Sequence, residues 1–194
     1  AHLPLALHPH AREALLIGLG SGITAGSALR HPLTRLDVVE IARGVADAEP
    51  FFRPLNGAPL LDPRTALHIA DAKTFLRESR RSYDVIISEP SNPWVSGVGG
   101  LFSAEFYHEA RSRLRPGGVM VQWFHLYEMS DDILRLVLRT FCSEFHHATL
   151  WDITSNDIIL IGSGEPPGLP FALMEAAVAR PPVQEELHRL GLSR

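Results

Sequence analysis

The sequence predicts an open α/β domain: a mainly parallel, doubly wound sheet with helices on both faces. Three observations predict it. From Ala14 onward, short apolar runs alternate with longer helical ones, the pattern of repeated βαβ units. The short runs are apolar along nearly their whole length, as strands covered on both faces require. The last two, "HATLWDI" and "DIILIGS", are separated only by "TSN". That is too short for a helical crossover, so they must pair antiparallel.

The elements follow in order. "ALLIGLG" is the first strand and runs through the glycine turn 18–22 into the helical "GITAGSALRH". "RLDVVEI" is the second, ending at Glu40 before the helical "ARGVADAEPFF". "ALHIA" is the third, leading through Asp71 into "DAKTFLRES". "YDVIIS" stops at Glu89 in the proline-rich turn "SEPSNPW", and "SAEFYHEARSRL" is the helix beyond it. "GGVMVQWF" is the fifth strand, "SDDILRLVLRTFCSEF" the next helix, and the hairpin closes the sheet at seven strands. After Gly164 the segment "EPPGLP" breaks the pattern. The expected division is a domain over 1–164 and a tail over 165–194, one or two short helices around a Pro-Pro stop, packed on the domain edge or partly mobile.

Composition bounds the function. The 194 residues suffice for one core, in which a domain buries roughly 70% of its extended surface. Hydrophobic content of 45% and charged content of 21% belong to a globular protein, not a disordered or fibrous one. With a net charge of -4 and scattered Lys and Arg, there is no basic stripe for nucleic acid. The single Cys142 excludes a disulfide framework and a thiolate metal site, and fits a reducing compartment. Neither His8 with His10 nor His146 with His147 has metal-ligand spacing backed by acids, so no metal is expected. No run approaches the ~18 apolar residues of a membrane span. The opening "AHLPLALHP", without Met, raises the expectation of a fragment or a processed start.

Ligands of such sheets bind outside the carboxyl ends of the strands, which makes the strand-end residues the site candidates. Gly18, Gly20, Ser21 and Gly22 form a turn that lets backbone approach a ligand at the start of a helix; a plain strand-to-helix turn is the alternative. Glu40 ends the second strand, where a carboxylate accepts both hydroxyls of a ribose; a solvated glutamate is the alternative. Asp71, followed by Ala72, is placed to accept from an adenine amino group or to cap the next helix. Together the three strand ends describe an adenosine pocket. A dinucleotide is disfavoured, because G-x-G-x-x-G is absent and the hairpin closes the sheet.

"ALLIGLGSG", "DVVEI", "IADAKTFL", "YDVIISEPSNPW" and "LFSAEFYHEARSRLRPGGVMVQW" together resemble the spermidine synthase family of aminopropyltransferases, within the class I S-adenosylmethionine-dependent methyltransferase fold. The likeness runs over about residues 7 to 162 and is greatest to a bacterial branch of spermidine-synthase-like domains, often joined to membrane-spanning segments. It implies a seven-stranded sheet with an antiparallel last strand. It also implies decarboxylated S-adenosylmethionine or S-adenosylmethionine as donor, an amine as acceptor, a homodimer, and a cytoplasmic location, free or as part of a membrane protein. The family also has an N-terminal β-hairpin domain that covers the active site, and the expectation is that this sequence does not contain it.

The resemblance assigns Glu89 the catalytic carboxylate and Asn92 the family's second acidic position; Gln122 matches a substrate-side glutamine. Trp94 is either part of a lid over the substrate or a packing anchor. Trp123, His125 and Tyr127 are candidates for the same cavity, with core packing the alternative. An alkyl ammonium must lose a proton before it attacks carbon, which is the work of a carboxylate at Glu89. A solvated glutamate in a proline turn is the alternative there. Two departures stand out: Ser21 and Asn92 are uncharged where the family has acids. The acidic residue that methyltransferases carry before the glycine turn is Leu16 here.

Overall fold

A computed structural model describes residues 1–90, 97–127, 129–154, 156–166 and 171–192. In chain order the elements are α1 (His2–Leu7), β1 (Glu13–Ile17), α2 (Ile23–Ala28), β2 (Arg35–Glu40), α3 (Arg43–Ala48), α4 (Arg53–Asn56), β3 (Thr65–Ile69), α5 (Ala72–Glu78) and β4 (Tyr83–Ser88). Then come α6 (Ala104–Ser112), β5 (Leu114–His125), α7 (Asp131–Glu144), β6 (His147–Thr154), β7 (Asp157–Ser163), α8 (Phe171–Val178) and α9 (Pro181–Arg189). Short 3-10 turns at Glu49–Phe52, Pro59–Leu61 and Gly99–Phe102 join some of them.

The seven strands form one sheet in the order β3-β2-β1-β4-β5-β7-β6. The pairs among β1 to β5 are parallel, while β7 runs antiparallel to both β5 and β6. This is the class I methyltransferase arrangement, with the expected antiparallel last strand. Strand order reverses between β1 and β4, so the glycine turn after β1 and Glu89 after β4 lie side by side at the switch point.

The apolar strands are explained by two cores. On one face Leu15, Ile17, Ile86, Met120 and Phe124 pack with Tyr107 of α6 and Phe141 of α7. On the other, Leu16, Val38, Val85, Ile87 and Val121 pack with Leu5 of α1 and Ala25 and Ala28 of α2. Successive strand residues point to opposite faces, and both faces of the central strands are covered, so those runs carry no polar alternation, whereas the edge strands β3 and β6 leave Leu67, Ile69, Leu150 and Ile153 exposed. Asp37 is one of several buried polar residues in the strands. Fully buried in β2, it accepts from Arg35 Nε at 3.0 Å and Nη2 at 2.8 Å, and from the Tyr83 hydroxyl at 3.1 Å; His68 Nε2 is 2.7 Å away. Burial pushes this carboxyl up, but the bonds from Arg35 and His68 outweigh it and hold the pKa below the ordinary carboxylate range.

The tail does more than line an edge. Ala177 of α8 and Val183 of α9 are fully buried, and Arg180 Nη2 donates to the Pro9 carbonyl at 3.2 Å. Glu186 of α9, 5% exposed, accepts from the Ser27 hydroxyl in the last turn of α2 and from Arg30 Nε, just beyond that helix, at 3.2 Å. The polar residues that close α2 thus have their partner in the tail, which fastens the helix that follows the glycine turn.

Candidate functional site

The glycine turn is shaped by close approaches. Gly18 has φ +91, and a Cβ there would stand 2.7 Å from the Glu89 carbonyl oxygen. Only glycine allows both the conformation and the neighbour. In return, Glu89 N–H donates to the Ile17 carbonyl at 2.9 Å and Gly18 N–H to Val39 at 2.9 Å, which locks the ends of β1, β2 and β4 together.

Glu40 is 8% exposed, so the solvated alternative does not apply. Its Oε2 accepts from Leu19 N–H at 3.0 Å and its Oε1 from Ala42 N–H at 2.9 Å. A carboxylate has about four lone-pair positions, so roughly two remain for a ligand while the backbone fixes the plane of the group. Asp71 caps α5, accepting from Thr74 N–H at 2.9 Å, and also stands in a cavity wall. That cavity, of about 220 Å³, opens between Gly18, Glu40, Asp71 and Ala72 on one side and Pro90 and Leu101 on the other. Ile41, 70% exposed, and Val98 add apolar wall. Carboxylates and apolar walls around one concavity suit a nucleoside: polar edges for a sugar, flat apolar surface for a base.

Gly20, Ser21, Gly22 and Glu89 lie beside the cavity and outside its walls. Glu89 Oε2 accepts a hydrogen bond from the Thr24 hydroxyl of α2 at 2.7 Å, which fixes the carboxylate against the first turn of that helix. Gln122 is fully buried; Nε2 donates to the Trp123 carbonyl at 3.1 Å and to the Ser88 carbonyl at 3.4 Å. It stands behind the end of β4 without opening onto the cavity. Asn92 and Trp94 lie outside the described residues. The rings of Trp123 and His125 meet edge to face with centroids 4.2 Å apart, and His125 Nδ1 is 2.5 Å from Asp157 Oδ1. Tyr127, 47% exposed, has its ring centroid 4.8 Å from that of His125. Among the described residues no group of three or more His, Cys, Asp or Glu is placed to hold a metal ion, and no helix is long and apolar enough to cross a membrane.

Sequence reasoning missed two contributors. Thr24 carried a signal, being the first hydroxyl after the glycine turn. Asn56 carried none that a strand-end argument could find: it lies in α4, yet its Nδ2 donates to the Ser21 carbonyl at 2.8 Å.

The sheet order and the position of the glycine turn define a domain of the methyltransferase-fold class, with a cavity at its switch point whose walls suit a nucleoside. The spermine/spermidine synthase domain model matches residues 1–150; the chain belongs to that family. It is 31% identical over 160 residues to a spermidine synthase of Dictyostelium discoideum, covering 79% of this chain and 54% of the relative. It is 35% identical over 133 residues to putrescine N-methyltransferase 3 of Nicotiana tabacum, covering 65% and 35%. The chain thus spans about half or less of the length of these relatives. Among solved structures, a spermidine synthase in complex with the transition-state analogue AdoDATO superposes with a TM-score of 0.77 at 22% identity, covering 97% of this chain and 73% of that one.

Proposed function

We propose that the domain binds an S-adenosyl sulfonium donor in the switch-point cavity and transfers an alkyl group from it to an amine. The observation that carries this reading is Glu40: a buried carboxylate, oriented by two backbone N–H groups, with acceptor positions left over at the wall of an apolar cavity. Glu40 accepts the ribose hydroxyls, Asp71 receives the adenine edge, and Ile41 and Leu101 cover the base. When bound, a sulfonium donor supplies an electrophilic carbon and a neutral thioether leaving group. Glu89 attracts the acceptor ammonium and takes its proton, which frees the nitrogen lone pair to form the new C–N bond. Thr24 keeps Glu89 aimed through its hydrogen bond.

The leading reading is aminopropyl transfer from decarboxylated S-adenosylmethionine, the reaction of the enzymes after which the family is named. Methyl transfer from S-adenosylmethionine is the second reading. It is favoured by the likeness to putrescine N-methyltransferase, while Leu16 stands where methyltransferases carry an acid and the uncharged Ser21 and Asn92 count against a polyamine acceptor in either reading. Each donor incubated with a panel of amines, and the products weighed by mass spectrometry, separates them: aminopropylated or methylated amine identifies the reaction. An intact donor in every mixture would show a domain that binds without turnover.

A further inference from the structure

We infer that Asn56 is a positioning residue for the glycine turn: it holds the Ser21–Gly22 peptide in the curvature that sets Gly18 and Leu19 beside the donor cavity. This inference rests on the proposed donor site and adds a residue more than 30 positions away in sequence.

The side-chain amide is fully committed. Nδ2 donates to the Ser21 carbonyl at 2.8 Å and to Glu49 Oε1 at 3.2 Å, while Oδ1 accepts from Ala58 N–H at 2.8 Å. Turning the amide over would set its oxygen against a carbonyl and a carboxylate and its NH2 against an N–H, so the network permits one orientation. Glu49, 1% exposed, is itself held by Arg53 Nε at 3.3 Å. Asn56 is 3% exposed, and its bonds are made out of water.

The effect on the turn is geometric. The carbonyl and N–H of a trans peptide point in opposite directions. Ser21 C=O is held by Asn56, and Gly22 N–H donates to the Leu19 carbonyl at 2.8 Å. The peptide is therefore pinned at both ends. Leu19 is in turn bonded to Glu40, so Asn56 and the ribose-binding carboxylate grip the same five-residue turn from its two sides.

Two further observations show that the chain is shaped around this contact. A Cβ on Gly26 would stand 2.0 Å from the Asn56 carbonyl oxygen, and one on Gly22 would stand 2.9 Å from Asn56 Nδ2. Directly after Asn56, Gly57 and Ala58 both have positive φ, +71 and +56, and Ala58 is the sole non-glycine residue with positive φ among the described residues. A side chain kept in that region needs surroundings that enforce it, and such residues gather where geometry serves a function.

Asn56→Asp tests the inference. It keeps size and shape but loses the donor and sets a negative charge against Ser21 O and Glu49. Calorimetric titration with 5′-methylthioadenosine, at a temperature where circular dichroism shows both proteins folded, should find affinity lower by about tenfold or more. Amide hydrogen exchange at Gly22 should accelerate by a similar factor, with Met120 in β5 unchanged as the internal control. Asn56→Ala, which removes the bonds without adding charge, should shift both readouts in the same direction and serves if the Asp variant does not fold. A lower melting temperature with wild-type affinity and wild-type protection at Gly22 would reduce Asn56 to a packing residue and overturn the inference. If the wild-type domain binds no methylthioadenosine, the proposed donor site fails, and exchange at Gly22 alone decides the role of Asn56.

Discussion

Replacing Glu40 by Gln separates the two jobs of this side chain. As carboxylate it accepts from Leu19 and Ala42, one bond to each oxygen. Glutamine offers one oxygen, so one backbone N–H keeps its acceptor and the other faces an NH2 group. A lost hydrogen bond to a charged acceptor costs about 1.5 to 3 kcal/mol, and in a chain of this size each kcal/mol lowers Tm by about 2 to 4 °C. The expected fall is about 3 to 12 °C. Donor affinity should suffer separately, because the ribose loses a charged, bidentate acceptor: about 2 to 4 kcal/mol, or roughly 30-fold to 1,000-fold in Kd. Calorimetry for binding and scanning fluorimetry for Tm measure the two losses on the same samples. A variant with unchanged affinity and a lowered Tm would show that Glu40 only braces the turn, and unchanged values for both would refute the geometry itself.

Other outcomes follow from single contacts. Glu89→Gln should retain donor binding and lose about 100-fold to 10,000-fold in turnover; equal rates for variant and wild type, by mass spectrometry, would remove Glu89 from the chemistry. Gly26→Ala drives a methyl group to 2.0 Å from the Asn56 carbonyl and should destabilise the fold by about 3 kcal/mol or more, visible as a shifted urea midpoint; a normal midpoint would mean that α2 and α4 do not pack this closely. His31 is 2% exposed, and burial, aided by the neighbouring His2 and Arg180, pushes its pKa from 6.5 down to about 3. Its folded pKa is depressed, so the unfolded chain binds the extra proton: this contribution is complete above pH 6.5 and is lost as pH falls toward 3. His31→Asn should flatten the loss of stability between pH 6.5 and 5.5, a window above most of the titration of ordinary carboxylates; an unchanged slope in urea titrations would contradict the burial.

The central strands were legible in the sequence because both of their faces are covered, and apolar runs bounded by glycine, proline and acidic residues have few other readings; the edge strands β3 and β6 were legible from their position in the alternation. Glu40 and Asp71 were legible by the rule that ligands gather at strand ends; both line the cavity. α1 was hidden by Pro4, which is tolerated because the first-turn N–H groups of a helix have no partner. α4 was hidden by Pro54 in the same way, within a single turn over Arg53–Asn56. Cys142 follows Phe141 in an apolar stretch, but Val137 and Phe141 set the inward stripe of α7 and the cysteine falls one position outside it. The role of Asn56 and the docking of the tail on Ser27 and Arg30 depend on segments far apart in sequence, and no local pattern encodes such contacts.

A crystal structure of the domain grown with 5′-methylthioadenosine tests the proposed donor site most directly. Both ribose hydroxyls should lie within hydrogen-bond distance of Glu40, the adenine between Ile41 and Leu101 with its amino group toward Asp71, and the thioether sulfur on the Glu89 side of Gly18. A nucleoside bound away from Glu40, or a cavity that stays empty at saturating nucleoside, would contradict the proposed site.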